Sequence, residues 1–381
     1  MDLSLRHLTD RILAAAADGT PLRIRGGGSK DFYGQTLQGE VLDLRPHTGI
    51  ISYEPTELVV TVRAGTPLAE LEAALAEQGQ CLPFEPPHFA RTAADGATVG
   101  GMVAAGLSGP GRASVGALRD YVLGVQIVNG KGELLTFCGQ VMKNVAGYDV
   151  SRLMAGSLGT LGVIAEVSLK VLPVPPAERT LVFELSETSA RQQLNRWGGQ
   201  PLPLNASCWV QNEGAGQLVV RLRGAVAAVE AACRPMGGER LDNADVAGAW
   251  GGCREQTLPW FEARTAAPRP APQPGLDLWR LSLPATAPVL PLPAAAQPLV
   301  EWHGALRWVQ APRVHAAALY EKALLAGGSA SLFIAGGGQP ISLSGCFAVH
   351  SAALGAIHQR LRQAFDPAGI FNPARAGAVG A

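Results

Sequence analysis

Three glycine-rich stretches are the parts of this sequence best suited to hold a ligand. Residues 96–110 have mostly small side chains, residues 25–30 are Arg-Gly-Gly-Gly-Ser-Lys, and residues 156–164 are Gly-Ser-Leu-Gly-Thr-Leu-Gly-Val-Ile. Small side chains let backbone N–H groups approach a bulky ligand, and glycine adopts the positive φ angles that turn successive amides inward. The pattern predicts one extended ligand, a planar cofactor with a phosphate tail, that is held at several points.

Each stretch taken alone is equally compatible with a tight turn that binds nothing. A Rossmann dinucleotide site needs Gly-x-Gly-x-x-Gly between a strand and a helix, and residues 26–31 break this pattern at Asp31. The Gly-Lys pair at residues 130 and 131 lacks the P-loop spacing and lies between two apolar runs, where a β-hairpin is predicted. Neither common nucleotide-binding motif is therefore predicted.

Composition excludes several other classes of function. The 381 residues include 31 basic and 31 acidic ones without long runs of like charge, so neither nucleic acid nor an anionic membrane surface is a predicted partner. No apolar stretch reaches the roughly 20 residues that span a bilayer, and the first residues do not form a signal peptide. Six scattered cysteines without Cys-x-x-Cys predict no metal or iron-sulfur site and a cytoplasmic protein with reduced thiols.

The elements that must position the glycine-rich stretches form a small α/β lobe in the first half of the chain. Residues 4–18 place Leu5, Leu8, Ile12 and Leu13 on one predicted helical stripe. The same periodicities predict strands at 22–24, 41–44, 58–62 and 163–171, a helix at 67–78 and a hairpin at 121–137. Prolines at 173, 175 and 176 then predict a domain boundary.

The second half has weaker patterns, which are compatible with a sheet that carries helices on one face. Helices are predicted at 225–233, 314–325 and 352–365, with strands at 181–185, 218–223 and 331–335. Residues 264–298 are rich in proline and alanine and predict an irregular surface connection that a strand at 278–283 interrupts. A hairpin that turns near Gly304 is predicted over residues 299–311.

Taken in order, the motifs resemble the FAD-binding domain of the flavoenzyme family typified by vanillyl-alcohol oxidase and p-cresol methylhydroxylase (PCMH-type). The matching stretches are residues 25–29, 57–65, 97–104, 119–124, 143–149, 156–164 and 366–373. The resemblance implies an α+β fold. Its FAD-binding domain would span residues 1–175, in two α/β subdomains at about 1–55 and 56–175. A reduced cap-like domain at 176–345 and a C-terminal segment at 346–381 that docks on the FAD domain would follow.

The resemblance also implies which residues hold FAD, with the first glycine stretch on the pyrophosphate and residues 97–108 along the pyrophosphate and the isoalloxazine. Residues 162–164 would lie near the adenosine end. The implied cofactor-binding residues are Gly26, Gly27, Gly28, Ser29, Ala97, Thr98, Gly100, Gly101, Ala104, Gly106, Ser108, Gly116, Gly162, Val163 and Ile164.

Two departures from the family pattern shape the functional interpretation. Relatives that attach FAD covalently carry a histidine in the first glycine stretch, where this chain has Gly28 and Ser29, so non-covalent FAD is implied. The catalytic 2-hydroxy-acid dehydrogenases of the family carry a His-Gly-x-Gly-Asn run that this chain lacks. The catalytic residues therefore stay unassigned, with His88, Lys143 and Tyr148 open as either catalytic or structural residues.

Within the family, residues 81–89, 106–110, 141–149 and 304–309 most resemble the FAD-binding subunits of glycolate oxidases. The first hypothesis is such a subunit, with a catalytic FAD subunit and an iron-sulfur subunit as partners and membrane contact only through the complex. The second is an independent flavin dehydrogenase of 2-hydroxy acids. The third is a scaffold of the same fold that binds no flavin.

Overall fold

The computed structural model describes residues 2–90, 96–139, 149–212, 214–241, 243–262, 275–293, 296–336, 352–373 and 375. The chain divides into two compact units. Unit 1 comprises residues 1–107, 117–173 and 341–381, and unit 2 comprises residues 108–116 and 174–340. Both units combine helices with strands, so the α+β fold class is confirmed, while the domain limits given above remain predictions.

Unit 1 is built on an antiparallel sheet and a separate parallel pair. The antiparallel sheet has the strand order β3-β4-β8-β6-β7, β1 pairs with β2 in parallel, and β5 pairs with β9. The strands are β1 (Leu22–Arg25), β2 (Glu40–Asp43), β3 (Ile50–Glu54), β4 (Val59–Arg63), β5 (Gln80–Cys81), β6 (Val122–Val128), β7 (Leu134–Cys138), β8 (Val163–Lys170) and β9 (Leu172–Pro173). The predicted strands and hairpin of the first half are confirmed.

The helices of unit 1 cover these strands and close one hydrophobic core. They are α1 (Leu3–Asp18), α2 (Leu68–Glu77), α3 (Val99–Ala105), α5 (Val150–Leu153) and α11 (Ala352–Phe365). The core includes Leu5, Val60, Leu71 and Ile127, each at most 5% exposed. Burial of β4 on both faces explains its near-continuous apolar sequence.

Helix α1 shows how the sequence sets the two ends of a helix and where the predicted buried stripe is wrong. Asp2 caps its start by accepting a hydrogen bond from the Ser4 N–H at 3.0 Å, and Gly19 ends it in the left-handed conformation. Leu5, Leu8 and Ile12 are buried as predicted, but Leu13 is 47% exposed. Residue 13 lies about 100° around the helix from residue 12, so it leaves the buried stripe.

The first part of the chain contributes to both the parallel pair and the antiparallel five-stranded sheet of unit 1. Strand β3 lies before the predicted subdomain limit at residue 55, yet it pairs with β4 in the larger sheet. At the other end of the chain, the Leu22 N–H donates to the Ile370 carbonyl at 2.7 Å, and the Asn372 N–H donates to the Leu22 carbonyl at 2.9 Å. Residues 370–372 therefore lie beside β1.

Unit 2 is built on an antiparallel sheet with the strand order β13-β10-β12-β11-β15-β16-β14-β17. Its strands are β10 (Ala177–Glu184), β11 (Leu204–Asn212), β12 (Ala215–Gly224), β13 (Glu239–Leu241), β14 (Asp277–Ser282), β15 (Leu299–Glu301), β16 (Leu306–Ala311) and β17 (Ser329–Ile334). Its helices are α4 (Arg112–Val115), α6 (Glu187–Gly198), α7 (Val226–Met236), α8 (Asn243–Glu255), α9 (Pro259–Glu262) and α10 (Ala316–Leu325).

The sequence pattern missed several elements of unit 2, among them β11, α6 and α8. β11 was not predicted, although it pairs with β12 over most of its length. α6 had a visible signal, because Ser186 caps it and Ala190, Leu194 and Trp197 lie on one buried stripe. The predicted strand at 278–283 is confirmed as β14, but it is buried between β16 and β17 rather than part of a surface connection.

In the part of the chain that the structure describes, no helix is both long and apolar enough to cross a membrane.

Candidate cofactor site

All three glycine-rich stretches meet at one open cleft in unit 1. The cleft is lined by Ile24, Arg25, Gly26, Gly27, Gly28, Ser29, Lys30, Asp31, Leu37, Leu44, Ala64, Ala97, Thr98, Gly100, Gly101, Ala104, Ala105, Leu158, Gly159, Gly162, Ile164, Asn372 and Arg375. One ligand in this cleft could touch every stretch.

The first glycine stretch begins where β1 ends and turns away from β2. Among the described residues, the amide N–H groups of Gly26, Gly27 and Gly28 have no acceptor in the protein. Gly28 has a φ of +79°, the left-handed conformation that lets neighbouring amides point to one side. Three consecutive unpaired amides at a cleft are a site for an anion such as a phosphate.

Close approach within unit 1 explains why two of these positions are glycine. A Cβ at residue 26 would lie 2.1 Å from the Thr98 Oγ1, so the first two glycine-rich stretches touch there. A Cβ at residue 28 would lie 2.0 Å from a terminal guanidinium nitrogen of Arg25, whose side chain crosses the inside of the turn. Larger residues would separate the two stretches or displace Arg25.

Within the second stretch, residues 99–105 form the helix α3. Thr98 caps the helix by accepting a hydrogen bond from the Gly101 N–H at 3.3 Å. The Val99 and Gly100 amides donate to the Thr66 and Ala64 carbonyls at 2.9 and 2.8 Å. Because these amides already donate to acceptors within the protein, α3 contributes a wall of small side chains to the cleft rather than free hydrogen-bond donors.

Charged side chains surround the unpaired amides. Arg25 pairs with Asp31 through Nε and Oδ2 at 2.9 Å, and Lys30 and Arg375 also line the cleft. Three cations and one carboxylate leave the lining net positive. Such a lining suits a pyrophosphate, which cationic side chains bind well.

The structure brings eleven of the fifteen predicted cofactor residues to the cleft. The other four lie elsewhere. Gly106 ends α3 and packs against the backbone of Gly156, and Val163 is fully buried in β8. Ser108 and Gly116 belong to the short segment of unit 2 that interrupts unit 1. The assignment of the eleven residues to FAD remains a prediction.

Several lining residues were not predicted from the sequence. Asn372 and Arg375 come from the end of the chain, and Ala64 comes from the end of β4. Residues 366–373 had matched the family pattern, but that match gave no reason to place Asn372 at the ligand. Only the pairing of residues 370–372 beside β1 brings it there.

His88, the histidine weighed as a catalytic candidate, and the buried His303 both make structural hydrogen bonds. His88 Nε2 lies 2.8 Å from a carboxylate oxygen of Glu72, and neither residue lines the cleft. In unit 2, the Ser114 hydroxyl donates to the Leu204 carbonyl at 2.7 Å, so it accepts from His303 Nε2 at 3.1 Å. Burial lowers the pKa of His303 to about 4. Lys143 and Tyr148 lie outside the described residues.

The cleft satisfies the physical demands of FAD, with free amides and cations for the pyrophosphate and small apolar walls for a flat ring. The fold and this site define an FAD-binding protein. Residues 4–137 match the family model described as an FAD binding domain. The chain is also 46% identical to the glycolate oxidase subunit GlcE of Escherichia coli over 97% of its own length and 96% of that protein's. It belongs to the GlcE family of FAD-linked oxidoreductases, and its resemblance to the PCMH-type flavoproteins is confirmed.

More distant relatives match less than half of the chain. The glycolate oxidase subunit GlcD of Bacillus subtilis is 31% identical over 45% of this chain and 36% of that protein. A D-lactate dehydrogenase of Anaerostipes hadrus is 34% identical over 38% of this chain and 29% of that enzyme. An alkyldihydroxyacetonephosphate synthase superposes with a TM-score of 0.64 at 14% identity, covering 97% of this chain and 75% of that one, so it shares the fold.

Proposed function

We propose that this chain is the FAD-binding subunit of a glycolate oxidase complex, in which it assists a catalytic FAD subunit and an iron-sulfur subunit. The single observation that carries this proposal is the 46% identity to GlcE along almost the whole of both chains. A chain that shared only the cofactor domain would match over a third to a half of its length, as GlcD and the D-lactate dehydrogenase do.

Oxidation of glycolate to glyoxylate removes two electrons and two protons from the substrate. Bound FAD supplies a two-electron acceptor for such a reaction. The chain's own contribution would be to hold the cofactor without a covalent bond. The amides of residues 26–28 and the Lys30 ammonium would hold the pyrophosphate, and the small residues of α3 would leave room for the ring.

An accessory role is favoured by what the cleft lacks. Oxidation of a hydroxy acid needs a base for the hydroxyl proton within hydrogen-bonding reach. Among the described residues that line the cleft there is no histidine, tyrosine or cysteine, and the carboxylate of Asp31 is paired with Arg25. His88 and His303 are both committed to structural hydrogen bonds. The main catalytic residues would therefore lie on the partner FAD subunit.

The test is to reconstitute glycolate-dependent dye reduction from separately tagged subunits, with and without this chain. We expect this chain to purify with the other two subunits, to carry FAD, and to be required for full activity of the complex. Alone it should turn over glycolate at a small fraction of the rate of the complex. The matched control is Gly19→Ala, whose position ends α1 and does not line the cleft.

Two outcomes would replace this proposal with another. Rapid glycolate oxidation by the purified chain alone would identify an independent dehydrogenase. A chain that binds no FAD, even when FAD is added to the purified protein, and still supports the complex would identify a scaffold.

A further inference from the structure

The last described residues of the chain connect the glycine-rich stretches to each other. Asn372 and Arg375 line the cleft, and both are only 6% exposed. They lie 214 positions or more from the stretches that they contact. None of the sequence motifs predicted that residues near the end of the chain would form part of the wall of the cleft.

Asn372 makes three hydrogen bonds to two different parts of the cleft. Its N–H donates to the Leu22 carbonyl at 2.9 Å, and its Oδ1 accepts from the Ile24 N–H at 2.9 Å. Its Nδ2 donates to the Leu158 carbonyl at 2.7 Å. Ile24 lies two residues before Gly26, and Leu158 directly precedes Gly159. One amide side chain therefore sets the distance between the first and third glycine stretches.

The local backbone is adapted to this side chain. Asn372 has a φ of 40°, in the left-handed region that asparagine tolerates better than most residues. A Cβ at residue 159 would lie 2.5 Å from the Asn372 Nδ2, so a glycine is needed opposite the asparagine. Both features would be unnecessary if residue 372 only filled space.

Arg375 organises the segment that follows the first glycine stretch. Its guanidinium donates to the Gln35 carbonyl, to the Lys30 carbonyl at 3.2 Å and to the Asp31 carbonyl at 2.9 Å. Its own carbonyl accepts from the Gln35 N–H at 3.1 Å. These bonds fix the backbone of residues 30–35 and bring a positive charge to the phosphate end of the cleft.

We propose that Asn372 and Arg375 form a C-terminal clasp, a pair of positioning residues that hold the cofactor cleft at the width needed to bind FAD. Without the clasp, the first and third stretches would separate, and a ligand that touches both would have to bring them together as it binds. That ordering would lower FAD affinity even in a fully folded protein. By linkage, bound FAD should in turn stabilise the clasp.

The decisive comparison is between Asn372→Ala and Asp366→Asn, measured as FAD affinity of the apoprotein by flavin fluorescence. Asp366 is buried in the same C-terminal segment and its Oδ2 accepts from the Phe371 N–H at 2.8 Å, but it does not line the cleft. A loss of global stability alone does not change the affinity of a protein that remains folded. Far-UV circular dichroism and thermal unfolding of each apoprotein establish that it is folded.

We expect Asn372→Ala to weaken FAD binding at least tenfold and Asp366→Asn to change it less than twofold. Arg375→Gln, which removes the charge and most of the donors, should also weaken binding at least tenfold. Affinity within twofold of wild type in both clasp variants would overturn the proposal. So would an equal loss of affinity in Asp366→Asn, because the effect would then be one of general packing.

Hydrogen exchange of the unaltered protein gives a second test that does not depend on any variant folding. Saturating FAD should slow exchange of the Asn372 and Arg375 amides, which donate to the Leu22 and Asn372 carbonyls. Amides in the middle of α11 serve as the internal control and should change little. Equal exchange of the clasp amides with and without FAD would show that the clasp and the cofactor are not coupled.

Discussion

Gly100 packs directly against Ala64, so closely that a Cβ added at residue 100 would lie 2.6 Å from the Ala64 Cβ. Its neighbour Gly101 is less confined, because a Cβ there would meet only the Thr98 Oγ1, at 3.1 Å. From the sequence, larger side chains at either position should occupy the space of the cofactor. The structure separates the two, since a side chain at residue 100 would collide with Ala64, directly after β4, whereas residue 101, which also lines the cleft, has room for one.

We therefore expect Gly100→Ala to lower the free energy of unfolding by about 1–3 kcal/mol through overpacking. Gly101→Val should leave this free energy close to the wild-type value and should reduce the FAD content of the purified protein. Urea unfolding of the apoprotein measures the free energy of unfolding. Flavin absorbance per mole of purified protein measures the FAD content. Normal FAD content in Gly101→Val would show that residue 101 does not face the cofactor.

A second prediction distinguishes two effects of replacing a left-handed glycine: the conformational strain on the backbone and the damage to the cofactor cleft. Gly19 and Gly28 have similar φ angles of +67° and +79°. Alanine at either position should cost roughly 1–2 kcal/mol of unfolding free energy. Only Gly28→Ala should also weaken FAD binding, by at least tenfold, because its Cβ would displace Arg25 beside the unpaired amides.

Isothermal titration of the two apoproteins with FAD measures this difference, and Gly19→Ala is the matched control because nothing lies within 4 Å of its added Cβ. Equal affinities in the two variants would contradict an anion site at residues 26–28.

The third prediction concerns the pH dependence of stability. Burial lowers the pKa of His303 from its ordinary value of 6.5 to about 4. Its two ring nitrogens, Nδ1 and Nε2, form hydrogen bonds with the hydroxyls of Ser207 and Ser114. Between pH 6.5 and 4 the unfolded chain binds a proton at this site that the folded chain does not. Stability from this residue is thus fully present above pH 6.5 and declines as the pH falls, by about 3 kcal/mol at pH 4 and below.

His303→Asn is the variant of choice because asparagine tolerates the left-handed backbone at this position, where φ is 56°. Urea unfolding at pH 7.5, 6.0 and 5.0 should show a smaller loss of stability in the variant than in the wild type. Parallel curves for the two proteins would mean that His303 is not held neutral in the fold.

The fourth prediction is that the flavin is released by acid. Among the described lining residues there is no histidine, cysteine or tyrosine to form a covalent bond to the ring. Acid precipitation of the yellow protein should therefore leave a colourless pellet and all the flavin in the supernatant. Flavin retained in the washed pellet would show covalent attachment by a residue outside the described lining.

Much of unit 1 could be predicted from the sequence because its determinants are local. Leu5, Leu8 and Ile12 repeat at helical spacing, and Gly19 ends the helix. The three glycine stretches indicate close approach of the backbone to another group. In unit 2, β11 was missed although Leu204, Ala206, Cys208 and Val210 repeat at strand spacing. The burial of β14 comes from β16 and β17 on either side of it. Which strands will lie beside a given strand is not encoded in the residues of that strand alone.

From the small residues at 25–30, 96–110 and 156–164 the sequence by itself predicted a planar cofactor with a phosphate tail, and its resemblance to the PCMH-type flavoproteins implied that this cofactor is FAD. Tertiary structure decided which of these residues face that ligand. It packed Gly100 against Ala64 at the edge of the cleft, placed Ser108 and Gly116 in unit 2, and brought Asn372 and Arg375 into the wall. The direction of a side chain and the meeting of distant segments depend on strand pairing across the fold, which residue type and spacing do not encode.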